Sequence, residues 1–175
     1  AIQWEPENAE HYDFLTNREA YYLRGQLLAQ MGLNAQAFED FNQSWSLGSR
    51  EARLFAARGR VAQLLGRGDD AMHNFRQAIH WEPENAKHYA FLANYERSAG
   101  LYQSAEETLA EAIRSDPELF EAYHFRGLLR HDLGQFQEAI RDFDHAISLD
   151  PDRPDAYPSR AITYLELGQN DRAFQ

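Results

Sequence analysis

The residues with the most obvious capacity for chemistry are the histidines and the clustered carboxylates. His73 and His80 are seven residues apart on one predicted helix, as are His124 and His131. Seven residues is two turns, about 10 Å along the axis, too far for two ring nitrogens to share one ion. Asp142 and His145 are one turn apart, but no third ligand accompanies them. The pairs Asp69-Asp70 and Glu106-Glu107 fall on predicted turns or outer faces and read as solvated charges. No cysteine is present, which excludes thiolate zinc sites, disulfide frameworks and cysteine nucleophiles. No H-E-x-x-H, phosphate-binding glycine loop or G-x-S-x-G elbow occurs. Asn42-Gln43-Ser44 has the form of a glycosylation site but lies inside a predicted helix. No catalytic residue, metal or cofactor is expected, and the function is sought in binding.

Binding residues need elements to position them. The chain has 175 residues, room for one domain or one short array of repeats. Its formal charge of −11 argues against DNA or polybasic membrane-surface binding, both of which use excess positive charge. No apolar run is long enough to span a bilayer. No basic-then-apolar leader opens this stretch, so no signal peptide is expected in it. Cytoplasm and bacterial periplasm are both compatible. Lys87 is the single lysine among 17 basic residues. An aromatic content of 13% with six prolines is too apolar for a disordered chain.

The organisation is set by a period. Glycines stand at 32, 66, 100, 134 and 168, each 34 after the last. Ala37, Ala71, Ala105, Ala139 and Ala173 keep the same step, as do Pro83, Pro117 and Pro151. So do Tyr21, Phe55, Tyr89, Tyr123 and Tyr157. With repeat position 1 at Arg18, Ala52, Ala86, Phe120 and Pro154, small residues recur at positions 8, 20 and 27, and Phe or Leu at 24. This pattern resembles the tetratricopeptide repeat (TPR) family over residues 18–175. The resemblance implies an all-α, right-handed superhelical solenoid of helix hairpins. Its repeats are 18–51, 52–85, 86–119 and 120–153, with a partial repeat 154–175. Residues 1–17 nearly copy 78–94 and are expected to form a degenerate partial repeat or cap, with a short helix over Glu7 to Leu15. The ends are out of phase with whole repeats, so a piece of a longer protein is expected.

Within each repeat the predicted helices break near positions 15–17 and 31–33. Thr16 to Glu19 has capping-box spacing and predicts a helix start, and Asp116-Pro117 reads as an N-cap followed by proline at N1. Trp45, Trp81, Tyr102 and Phe136 are expected to pack between helices. Position 7 is Arg24, Arg58, Leu92, Arg126 and Arg160, and position 23 is Asp40, Asn74, Thr108 and Asp142. Arg appears where position 23 is Asp or Asn, and Leu where it is Thr. An arginine on an apolar helix face needs a partner, so Arg24–Asp40 and Arg126–Asp142 pairs are expected. Arg160 would find its partner at position 176, outside the chain.

The resemblance also implies where ligands bind: positions 2, 5, 9, 12 and 13 of the first helices, on a concave groove. The residues carried over include Tyr22 and Gln26 from repeat one, and Arg53, Arg60 and Gln63 from repeat two. Repeat three gives Lys87, Asn94 and Arg97, and repeat four gives His124 and Leu128. The whole strip sums to −1, yet its positive charges all fall in repeats two and three. A locally basic, amide-bearing groove suits a protein segment or peptide that is acidic or ends in a free carboxylate. The terminal-carboxylate clamp of chaperone-binding TPR domains is not matched, because only Arg60 and Asn94 are suitable among positions 5 and 9. The expected function is a non-enzymatic interaction scaffold. Two alternatives stand beside it. One is self-association through the apolar end at Ile162 and Leu165, giving a homo-oligomer. The other is the recognition arm of a larger enzyme.

Overall fold

The computed structural model describes residues 6–173, with side chains from residue 17 onward. Among these residues every regular element is an α-helix. They divide into two compact units, Ala1–Glu82 and Pro83–Gln175. Unit 1 holds α1 (Pro6–Gln30), α2 (Asn34–Ser46), α3 (Ala52–Leu64) and α4 (Gly68–Trp81). Unit 2 holds α5 (Ala86–Ser98), α6 (Tyr102–Ser115), α7 (Phe120–Asp132), α8 (Phe136–Leu149), α9 (Ala156–Glu166) and the short α10 (Asn170–Ala173). The helices pair in chain order: α1 with α2, α3 with α4, α5 with α6, α7 with α8, and α9 with α10. Within each unit the second helix of one pair also packs on the first helix of the next.

The periodic glycines divide into two roles. Gly66 ends α3 with φ of +70°, in the left-handed region that a side chain disfavours. The next residue, Arg67, donates its N–H back to the Ala62 carbonyl at 2.9 Å, closing the helix end. The same bond recurs after α1, α5, α7 and α9. Position 8 glycines serve packing. A Cβ on Gly127 would lie 2.6 Å from the Phe143 ring, and one on Gly25 would lie 2.7 Å from Phe41. Repeat three has Ala93 there, and its facing residue is Leu109 instead of Phe. The methyl group and the smaller side chain exchange together, so the volume of the contact is kept. The core around these contacts is fully buried: Phe41, Phe75, Leu109 and Phe143 are each 1% exposed or less.

The polar pairs between paired helices form as expected. Arg24 holds Asp40 through two bonds of 2.6 Å, from Nε and Nη2. Arg126 holds Asp142 through bonds of 3.0 and 2.7 Å, and Arg130 adds a third contact at 2.8 Å. Repeat three inverts the arrangement. Its acid is Glu96 on the first helix, buried, and the Ser104 and Thr108 hydroxyls donate to it at 2.7 and 2.9 Å. The side chains at positions 7 and 23 do change together, but the acceptor in this repeat sits at position 11.

Several expectations are corrected. α1 runs unbroken from Pro6 to Gln30, so Thr16 does not begin a helix and no separate short helix ends at Leu15. The Trp4 end of the expected cap lies outside the described residues. Asp116 accepts the Glu118 N–H at 3.0 Å in a turn, and α7 starts later, at Phe120. Arg160 does not lack an acid: it reaches Asp144 at 2.6 Å. Trp45 and Trp81 remain 41% and 48% exposed, and Tyr102 is exposed as well, so none of the three is fully packed away.

Candidate functional site

The expected contact residues lie on the first helices, and each unit gathers its own. In unit 1, Tyr22 is buried and its hydroxyl accepts the Gln26 amide at 2.8 Å. Burial pushes the Tyr22 phenol up; the Arg53 guanidinium, 4.7 Å above the ring, opposes that shift, and Glu19 and Glu51 add to it. Arg53 also pairs with Glu19 at 2.8 Å and with Glu51. One turn further along, Gln26, Gln30 and Arg60 edge an open cleft between α1 and α3, with Phe41 and Val61 buried beneath it. The cleft has a volume of about 180 Å³, and Leu64 beside it is 69% exposed. Gln63 is half-buried one residue before Leu64.

In unit 2 the strip is bonded to neighbouring acids. Lys87 reaches Glu121 at 2.8 Å, and Arg153 reaches the same oxygen at 3.0 Å. Burial raises the Glu121 carboxyl, but bonds from Lys87, the backbone and Arg153 outweigh it and hold the group below its ordinary range. Arg97 donates to Asp132 at 2.5 Å and to the Asn94 side-chain Oδ1 from two nitrogens at 3.3 Å. His124 is buried beside Phe120 and Phe143, with Nε2 3.4 Å from the Ser159 hydroxyl. Burial lowers its basicity first; Asp155 opposes that, and Arg153 and Arg97 add to it. His131 Nδ1 lies 3.0 Å from the Thr163 hydroxyl. Leu128 is partly buried against the Phe143 cluster.

The structure thus brings Tyr22, Gln26 and Arg53 together in one cluster, Gln26 with Arg60 in one cleft, and Asn94 with Arg97 in another cluster. Lys87 joins a buried acid. Sequence reasoning missed Arg153 and Glu96. Arg153 stands at the last position of repeat four and had no repeat-spaced signal. The signal present concerned the pairs instead, since position 2 reads Glu19, Arg53, Lys87, Glu121 and Asp155, and neighbours of opposite sign face each other in Glu19–Arg53 and Lys87–Glu121. Among the described residues no group of three or more histidines and carboxylates could hold a metal ion. No helix among them is long and apolar enough to cross a membrane.

Helix hairpins of fixed length, closed by the same glycine and packed through the same small residues, define an α-helical repeat protein of the kind that presents surfaces to other proteins. The chain belongs to the tetratricopeptide repeat family: tetratricopeptide repeat models match residues 19–47 and 51–119, and a TPR repeat model matches 127–168. Solved structures share the fold. A thermophilic TPR protein of Thermus thermophilus is 22% identical, with a TM-score of 0.81, covering 89% of this chain and 86% of its own. PilF of Pseudomonas aeruginosa is 21% identical, with a TM-score of 0.75, covering 93% and 74%. MamA is 21% identical, with a TM-score of 0.64, covering 90% and 86%. No curated protein sequence matches the chain. The fold class is therefore the all-α TPR solenoid, and the module is one of protein interaction.

Proposed function

We propose that the chain is a non-catalytic interaction scaffold that binds an extended segment of another protein along the first helices of its repeats. The observation that carries this reading is the cleft of unit 1. It combines an apolar base of Phe41 and Val61 with amide and guanidinium groups from Gln26, Gln30 and Arg60 at its edge. Such a surface can bury an aliphatic side chain of a peptide while bonding its carbonyls and carboxylates. The pair Arg53–Glu19 lies at the surface, where an ion pair is worth about 0–1 kcal/mol, whereas Arg97–Asp132 is partly buried and Arg97 is also held by Asn94. A ligand carboxylate can therefore take Arg53 from its internal partner at small cost. Lys87 instead neutralises a buried acid, and its contribution to binding is to keep Glu121 in place.

The test is a selection of displayed random peptides on the folded chain, followed by affinity measurement with the Arg60→Glu variant. Charge reversal at the cleft edge should weaken selected acidic peptides about tenfold or more. Equal affinity for both proteins would move the site elsewhere. Self-association is a second reading, supported by the exposed apolar residues Ile162 and Leu165 of α9, Leu27 of α1 and Met31 in the turn after it. A mass that rises with concentration, and returns to the monomer value on Ile162→Glu, is the outcome it requires.

A further inference from the structure

Position 7 of repeat two departs from repeats one and four. Arg58 stands there, but the residue sixteen positions on is Asn74, not Asp. The Asn74 amide donates to the Asp70 main-chain carbonyl at 2.6 Å, and its own oxygen, like Arg58 Nε, is buried with no hydrogen-bond partner. Arg58 lies instead between two rings, 5.3 Å from the centroid of Phe38 and 5.3 Å from that of Trp45. Arg67 covers Phe38 at 4.6 Å and Arg50 covers Trp45 at 5.2 Å. Arg50, Trp45, Arg58, Phe38 and Arg67 thus alternate cation and ring. Arg50 donates to the main-chain carbonyls of Trp45 and Ser49, which are neutral acceptors. Arg67 lies 3.8 Å from Asp70, with both side chains half exposed. Three guanidiniums are gathered around two rings with one loosely held carboxylate, on a protein of charge −11. Burial lowers the Arg58 basicity; Asp70 opposes this and Arg67 reinforces it, as expected for a cation short of counter-charge. Arg50 and Arg67 at the two ends of the cluster are exposed, as is Trp45, so an anion can approach it there.

We propose that the ladder of Arg50, Trp45, Arg58, Phe38 and Arg67 binds an oxyanion carried on an extended peptide. The anion, a carboxylate or a phosphate, supplies from outside the counter-charge that Asp40 and Asp142 supply to Arg24 and Arg126. Guanidinium forks pair with either group through parallel charge-assisted bonds, and the rings hold the forks in place. The ladder shares no residue with the cleft of unit 1 between α1 and α3.

Trp45 provides the readout. In the full chain with Trp4→Phe and Trp81→Phe, Trp45 emission is titrated at low and raised salt. The probes are inorganic phosphate and blocked short peptides that differ only in carrying Glu-Glu, phosphoserine or Gln-Gln. The expected result is a saturable change with an anionic peptide and none with the Gln-Gln peptide, weakened by salt. Arg58→Leu and Arg67→Gln should each reduce affinity about tenfold. Preference for the phosphoserine peptide assigns the anion as phosphate; equal or better binding of Glu-Glu assigns it as carboxylate. Leu92 occupies the same position in repeat three, so the fold accepts leucine there. If Arg58→Leu nevertheless fails to fold, the exposed Arg67→Gln decides alone. Arg60→Glu should leave this binding intact, which separates failure here from failure of the α1/α3 cleft. The proposal is overturned if no peptide gives a saturable change or if the change survives both substitutions. It is also overturned if inorganic phosphate binds as tightly as every anionic peptide.

Discussion

Arg58 and Arg126 occupy the same repeat position in two different units, yet their surroundings have opposite character. Arg126 meets a buried aspartate and shares it with Arg130. Arg58 meets an asparagine turned toward main chain, and rests between Phe38 and Trp45. Two sets of changes separate the closed internal pair from the open cationic ladder. Asn74 stands where repeat four has Asp142, and Phe38, Trp45, Arg50 and Arg67 stand where the equivalent positions around Arg126 are Glu106, Ile113, Glu118 and Gln135. A repeat fold keeps its backbone through the small residues and the glycine turns, so individual polar positions are free to take different roles.

The comparison can be broken from either side. The largest effect is expected from Asp142→Leu, which leaves Arg126 and Arg130 without their shared acceptor. Loss of one partner from a buried pair should cost about 3 kcal/mol, read as a lower urea midpoint at unchanged slope. Gly127→Ala tests the packing beneath that pair. The new methyl collides with Phe143, at a cost of about 1–3 kcal/mol. Adding Phe143→Leu, the combination found in repeat three, should recover most of it; if the double variant is no better than the single, the coupling of positions 8 and 24 is wrong.

Asn74→Asp sharpens the comparison by giving Arg58 the acid that Arg126 has in repeat four, with the rings left in place. It should add about 1 kcal/mol of stability and at the same time abolish the anion response of Trp45. Stability gained with anion binding unchanged would show that the ladder and the pair are independent. The smallest effect is in pH, and it belongs to unit 2. His124 is less basic in the folded chain than its ordinary 6.5, so the unfolded chain takes up the proton first as pH falls. Its contribution is complete above about 6.5 and declines as pH drops through that value toward the folded one. Glu121, held below its ordinary 4.5, contributes above that value and loses its contribution further into acid. A melting curve taken from pH 7.5 to 5 should therefore slope downward, and His124→Gln should flatten it.

The repeat length, the helix pairs, the glycine turns and the Arg–Asp pairs were legible in the sequence. Each depends on a relation that recurs every 34 residues, and a chain with repeats carries its own internal comparison. The expected charge strip was legible only as a set of residue types. Which arginine faces solvent and which faces a neighbouring acid is decided between helices, so Arg53 and Arg97 turn out bonded to Glu19 and Asp132. Glu96 was not recognised because its hydroxyl partners break the Arg–Asp spacing. The unbroken α1 hid its course for a similar reason: local capping residues near Thr16 compete with helix propagation, and propagation wins.

The sequence by itself determined the family, the helix boundaries after α1 to within a few residues and the small-residue contacts, because these follow from local conformational preference and a fixed period. The tertiary structure decided the fate of each charge and ring. A guanidinium can bond an acid, stack on a ring or wait for a ligand at similar energy, and only the atoms placed around it by other helices select among the three.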